Sequence, residues 1–212
     1  MSTLFLSYFL HESTPAYAGA EGTITFEKSR SISKGDTSNN LKLTFPNHIG
    51  THIDFPYHFN ETGKKLDDYP AGFWIFNRVG FLNCNVDEIQ DRLDLISDDI
   101  EFLILKTGFG AYRNGKIYWE QQPVIPANLA KILKDKFPKL RVFGFDLISL
   151  TSQLNKPEGK QAHLSFLCDN DILIVEDMNL ESINNAPDML VVAPLMISQA
   201  DGAPCNIIAI FN

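Results

Sequence analysis

Pro46-Asn47-His48-Ile49-Gly50-Thr51-His52-Ile53-Asp54-Phe55-Pro56-Tyr57-His58-Phe59 puts three of the chain's five histidines within eleven residues, with an aspartate among them. A helix is a poor host for this stretch, because Gly50 and Pro56 would both fall in its interior. An extended chain suits it better. At period two, one face carries His48, Gly50, His52, Asp54, Pro56 and His58, and the other carries Ile49, Thr51, Ile53, Phe55, Tyr57 and Phe59. All four potential ligands share one side while the opposite side is free to bury, so the stretch belongs in a sheet with a hydrophobic core behind it.

Distance adds a condition. At about 3.3 Å per residue, a straight strand holds His52 and Asp54 about 6.6 Å apart but His48 and His58 about 33 Å apart. The outer histidines can join the inner pair only if the chain bends, and Gly50 and Pro56 stand where the bends are needed. The expected site is a kinked strand end. Imidazole and carboxylate without thiolate suit Zn²⁺, Mn²⁺ or Fe²⁺.

On either side of this stretch, the first half of the chain reads as strands at Leu4–Phe9, Thr23–Lys28, Leu41–Phe45 and Val79–Val86. Asp87–Asp99 reads as a solvated amphipathic helix with its exit, its first acids favouring a helix start. The second half alternates. Phe102–Lys106 is a short apolar strand, and Pro126–Phe137 has a helical period with Leu129, Ile132, Leu133 and Phe137 on one face. Pro126 suits a first turn and Pro138 ends the helix. A strand at Val142–Phe145, a helix at Gln161–Cys168, and strands at Ile172–Val175, Leu190–Ala193 and Ile207–Phe211 complete the reading. Strands alternating with helices predict an α/β protein, residues 1–212 forming one domain with a mixed β-sheet core flanked by helices.

Composition narrows the function classes. The 212 residues are 44% hydrophobic and 21% charged, which excludes collagen-like and disordered chains. Eighteen basic against 26 acidic residues give a net charge of −8, with no basic cluster, so nucleic acid is not an expected partner. Cys84, Cys168 and Cys205 are far apart and odd in number, which fits a reducing cytoplasm rather than a disulfide framework. No apolar run reaches the roughly 20 residues of a membrane helix. Leu4–Leu10 is apolar, but no Lys or Arg precedes it and His11-Glu12 interrupts it, so a secretory signal is not expected.

His48-x-Gly50-Thr51-His52-x-Asp54-x-Pro56-x-His58 resembles the H-x-G-T-H-x-D-x-P-x-H signature of the metal-dependent cyclase family. That family includes bacterial kynurenine formamidases (arylformamidases) and isatin hydrolases. The resemblance spans nearly the whole chain. It takes in Leu6-Ser7 through Pro15 and Gly19, Lys106-Thr107-Gly108-Phe109, and Phe143-Gly144-Phe145-Asp146-x-x-Ser149. It continues through Ala162-His163-x-x-Phe166-Leu167, Ile174-Val175-Glu176-Asp177-x-Asn179-Leu180, Pro194-Leu195 and Asp201-Gly202-Ala203-Pro204.

The resemblance implies the family's swivelling β/β/α-like fold. It implies one or two Zn²⁺ per chain, or Mn²⁺, with His48, His52 and Asp54 holding the principal ion. Asp54 is expected to bridge to a second position, or to a catalytic shell, served by His163 and Glu176. His58 resembles the family's catalytic histidine, with Glu176 beside it. The implied reaction is hydrolysis of an aryl formamide by metal-activated hydroxide, N-formyl-kynurenine and water giving kynurenine and formate. A lactam of the isatin type is the alternative substrate, and a homodimer or homotetramer the implied assembly. Phe55, Phe73, Trp74 and Phe76 read either as an aromatic wall for the aryl group or, equally, as core.

The chain also departs from the family pattern. Phe55 stands where a small residue is frequent, Cys205-Asn206 where a basic residue is frequent, and Ala16–Gly22 lacks the usual Trp-Pro-Gly-Asp character. Two other readings use the same residues. The facial triad of non-haem iron oxygenases also has two histidines and a carboxylate, but its usual host is an all-β barrel and helices are expected here. A non-catalytic metal-binding relative would not need all six site residues.

Overall fold

The computed structural model describes residues 1–212, and its centre is a mixed sheet of nine strands. The strands of the chain are β1 (Ser2–Phe5), β2 (Thr25–Arg30), β3 (Asn40–Thr44), β4 (His52–Asp54), β5 (Ile75–Phe76), β6 (Val79–Asn83), β7 (Phe102–Lys106), β8 (Val142–Phe145), β9 (Leu173–Glu176), β10 (Met189–Pro194) and β11 (Gly202–Phe211). Across the large sheet the order is β5-β10-β11-β4-β9-β8-β7-β6, with β1 on the outer length of β11; β2 and β3 form a separate hairpin. The α/β architecture read from the sequence is the one observed.

The sheet has two wings. β6, β7, β8 and β9 run parallel, and the near-continuous apolar sequences of β7, β8 and β9 reflect burial on both faces, while burial alternates along the edge strand β6. β10, β11, β1 and β5 form an antiparallel wing. β4 joins the wings, antiparallel to β9 on one side and to β11 on the other. The register sets His52 opposite Glu176 and Pro204, and Asp54 opposite Ile174 and Gly202. The ligand-rich strand is therefore flanked by segments more than a hundred residues away in sequence.

Two helices cover the parallel wing. Helix α1 (Leu129–Lys136) buries Leu129, Ala130 and Leu133, with Pro126 just before its start and Phe137 closing it. Helix α2 (Lys156–His163) begins earlier than the expected Gln161. Lys156-Pro157-Glu158-Gly159 has loop-like composition, but Asn155 accepts the Glu158 N–H as an N-cap and Pro157 fits the first turn. A wider π-turn over Leu164–Asp169 then continues to the end of the expected segment.

The amphipathic helix expected over Asp87–Asp99 does not form. Short helical turns at Val86–Glu88, Ile89–Arg92 and Leu93–Leu95 replace it, burying Ile89 and Leu93. Ser97 donates to Asp99, one of the local side-chain bonds that compete with helix continuation. No helix is long and apolar enough to cross a membrane.

A candidate metal centre at the strand junction

β4 extends for only three residues, and the chain turns at both ends of it. Gly50 adopts a left-handed φ of +60°, where a side chain would meet Leu10. Pro56 opens a 3₁₀ turn over Pro56–His58. Gly50 and Pro56, where bends were expected, are thus where they occur. His48 and His58 consequently stack, with ring centroids 4.0 Å apart. The alternation appears in part: Ile53 and Phe55 are buried in the main core behind the strand, while Ile49 packs with Ala16 and Ile24 and borders the site. Thr51, on the same face, donates to the Asp177 carbonyl (2.6 Å), which joins the entry of β4 to the exit of β9.

Asp54 lies at the centre, 1% exposed. Its Oδ1 faces His48 Nδ1 (2.8 Å) and His52 Nε2 (3.5 Å), and its Oδ2 faces His163 Nε2 (3.7 Å). Glu176 reaches in from β9, its Oε2 3.4 Å from His52 Nε2 and its Oε1 3.5 Å from His163 Nε2. The same Oε1 accepts from the Leu150 N–H and the Ser149 hydroxyl. Potential ligand atoms of His52, Asp54 and Glu176 lie within 4.8 Å of one another, as do those of His48, Asp54 and His58. Asp54 is common to both groups.

The donor set fits a divalent metal. His52 and His163 each place Nδ1 2.8 Å from a backbone carbonyl, of Gly50 and Gly159 respectively. Donation there leaves each Nε2 lone pair turned toward the two carboxylates, the arrangement by which metal-ligating histidines are oriented. Two buried carboxylates face imidazoles with no Lys or Arg among them, and a bound cation would complete that charge balance. Burial alone would lower the pKa of His48 and His163, but hydrogen bonds and charge from Asp54, with Asp201 or Glu176, raise His48 to about 9 and His163 to about 10. Asp54 is opposed by burial, yet the histidines around it hold it well below the ordinary carboxylate range.

These groups line a cavity of about 300 Å³, together with Pro15, Tyr17, Ile49, Phe59, Ile148, Ser149, Thr151 and Asp177. Burial, and then the charge of Glu176, raise the pKa of the Tyr17 phenol. Phe59 stacks on His163 with centroids 4.6 Å apart.

Of the two readings of the four aromatic residues, the core one describes their positions. Phe55, Phe73, Trp74 and Phe76 pack against one another and against Tyr69 and Phe102, outside the cavity, with Phe55 and Phe76 fully buried. The period-two reading already put Phe55 on the face opposite the histidines. Phe59 and Tyr17 supply the aromatic lining instead, and Phe59 reaches the cavity because the turn at Pro56 ends the strand alternation.

Two site features were not assigned from the sequence. Asp201 sits just before β11, its backbone carbonyl accepting the Phe55 N–H (2.9 Å), and its carboxylate meets both His48 and His58. Its sequence signal was its place in the Asp201-Gly202-Ala203-Pro204 segment of the resemblance, to which no role was attached. Behind Glu176, Asp177 turns the chain at φ +52° and is held by Arg113 and Tyr118, residues with no motif of their own.

Residues 5–151 match the family model described as "Putative cyclase". A kynurenine formamidase of Bacillus cytotoxicus is 30% identical over 193 residues, covering 89% of this chain and 85% of that protein. A kynurenine formamidase of Bacillus cereus is 28% identical over 182 residues, covering 85% and 84%. Among solved structures, isatin hydrolase A from Labrenzia aggregata superposes with a TM-score of 0.79 at 15% identity, over 99% of this chain and 93% of that one. A potential metal-dependent hydrolase with cyclase activity superposes at 0.74 with 20% identity, over 98% and 96%. These superpositions show a shared fold.

Proposed function

The chain belongs to the cyclase family, and from that premise we propose that it is a Zn²⁺-dependent kynurenine formamidase, hydrolysing N-formyl-kynurenine to kynurenine and formate. The observation that carries this reading is the convergence of His48, His52, Asp54, His163 and Glu176 on one cavity with His58 beside them. It occurs in a chain that matches kynurenine formamidases over most of its length. His48, His52 and Asp54 would hold one ion, and Asp54, His163 and Glu176 a second where two bind; Mn²⁺ suits the same donors. A divalent ion held there supplies Lewis acidity, acidifying water and polarising the amide carbonyl.

The rest falls to the protein's own side chains. His58 donates from Nδ1 to Asp201 (2.9 Å), which leaves Nε2 to take a proton from water and deliver it to the leaving aniline nitrogen. The new C–O bond forms at the formyl carbon first, the C–N bond then breaks as the aniline nitrogen takes the proton, and formate departs. Glu176, fixed through Oε1 by Leu150 and Ser149, holds its other oxygen toward His52 and the cavity. Phe59 and Tyr17 give the aryl ring a flat apolar surface next to these polar groups. Cytoplasmic location and homo-oligomeric assembly belong to the same proposal, supported by three free cysteines and by exposed Phe5, Phe9 and Met196.

The test is hydrolysis of N-formyl-kynurenine by purified protein, with elemental analysis of the same sample and a chelated control. Chelator-sensitive turnover with one or two Zn²⁺ per chain is expected. Bound metal without turnover would overturn the kynurenine assignment and redirect the assay to lactams of the isatin type.

A further inference from the structure

We propose that Asp201 is a positioning residue shared by a metal ligand and the proton-transfer histidine, one carboxylate fixing both His48 and His58. Its Oδ2 accepts from His58 Nδ1 at 2.9 Å and from His48 Nε2 at 3.1 Å. Its Oδ1 accepts from the Asn47 side-chain amide at 2.6 Å, and the same amide also donates to the Gly202 carbonyl at 3.2 Å. The two rings that share Oδ2 stack at 4.0 Å, so neither can rotate without disturbing the other.

The backbone makes this arrangement stiff. Asp201 immediately precedes β11, whose Gly202 pairs with Asp54, and its carbonyl accepts the Phe55 N–H. A Cβ at Gly202 would collide with the ring of His48, so the close approach of that imidazole requires glycine next to Asp201. Asp201 is thereby locked to the strand that carries the ligands.

The consequences differ for the two histidines. For His48, Asp201 is the carboxylate on the far ring nitrogen, which fixes the tautomer and leaves Nδ1 aimed at Asp54 and the metal position. For His58, the Nδ1–H···Oδ2 bond sets the ring plane and leaves Nε2 unprotonated to accept a proton, the logic by which a carboxylate orients a catalytic imidazole. A single substitution should therefore weaken metal binding and proton transfer together. The turnover part of this inference rests on the proposed formamidase reading, but the metal part does not.

The experiment compares unmodified protein with Asp201→Asn and Asn47→Ala, checking each for native melting. Zinc affinity is measured by competition with a chromophoric chelator. Kinetics with N-formyl-kynurenine are measured at saturating zinc, and the downfield Nδ1–H proton of His58 is followed by NMR. For Asp201→Asn, zinc affinity is expected to fall by about 10–100-fold. With zinc saturating, kcat should fall by about 10²–10⁴-fold while KM holds, and the His58 resonance should be lost. Asn47→Ala, which keeps the carboxylate but frees Oδ1, should shift all three in the same direction by less, and it decides the matter if Asp201→Asn does not fold. Unchanged zinc affinity with the His58 resonance in place overturns the proposal, as does a kcat fully restored by zinc. If unmodified protein does not turn the substrate over, the formamidase reading fails while the zinc and NMR measurements still judge Asp201.

Discussion

Arg113 grips Asp177 through two nitrogens, Nε at 2.8 Å and Nη2 at 2.7 Å, in a pair almost wholly withdrawn from solvent. Tyr118 donates to the same carboxylate at 2.6 Å, and Tyr8 lies over the guanidinium at 3.9 Å. Because Asp177 follows Glu176 directly, this network anchors the end of β9 from behind the site. Arg113→Met removes the cation and strands the Asp177 charge. Leaving a buried charge uncompensated costs about 3–5 kcal/mol, so the midpoint of urea unfolding should fall accordingly. A loss below about 1 kcal/mol would place the pair among surface-like ion pairs and refute its anchoring role.

Asp54 turns one oxygen toward His48 and His52 and the other toward His163. No other residue serves both ligand groups. Asp54→Ala should therefore abolish tight metal binding altogether, whereas His163→Ala should spare the ion held by His48 and His52. Metal content by elemental analysis after dialysis separates the two variants. Equal retention of metal in both would contradict a shared ligand.

His58 touches the cavity but lies in the turn after β4, outside the strand that carries His52 and Asp54. His58→Ala should leave bound metal unchanged and lower kcat by about 10²–10⁴-fold, the usual contribution of one acid–base group. Activity retained in this variant would sink the proton-transfer role. Metal lost along with activity would reassign His58 as a ligand.

Much of this architecture is readable in local chemistry. β7 and β8 form over the residues expected for them, because Phe102–Lys106 and Val142–Phe145 are short apolar runs between turn signals. Gly50 and Pro56 marked the bends because a straight strand could not bring His48 to His58. Local pattern could not reveal which strands flank β4. The pairing of His52 with Glu176 spans the parallel wing, and Asp201 reaches His58 from 143 residues away. Such partners are set by register across the sheet, to which periodicity within one strand is blind. The choice between wall and core for the aromatic cluster stayed open for a related reason: Phe73, Trp74 and Phe76 carry no face information until β5 pairs with β10.

The metal-free protein should respond to pH with a defined sign. In that state the carboxylates overcome burial and hold His48 at about 9 and His163 at about 10, above the ordinary histidine value of 6.5. A histidine raised in this way contributes stability that is complete below pH 6.5 and lost as pH climbs through its folded value. Asp54, held below the ordinary 3.8 by His163, His48 and His52, and Asp201, held below it by His48 and His58, contribute stability that is lost as pH falls through their lowered values. Stability attributable to the site should therefore be greatest between about pH 4 and about pH 6.5 and decline toward pH 10. Zinc demands deprotonated ligands, so its stabilising effect should grow over the range where the metal-free protein weakens, with proton release on binding. Thermal melts of chelator-treated and zinc-loaded samples at pH 6, 7.5 and 9 would show the two curves diverging, the loaded form gaining on the stripped one as pH rises. Parallel curves would mean that the histidines are not held protonated by Asp54, Glu176 and Asp201 in the metal-free protein.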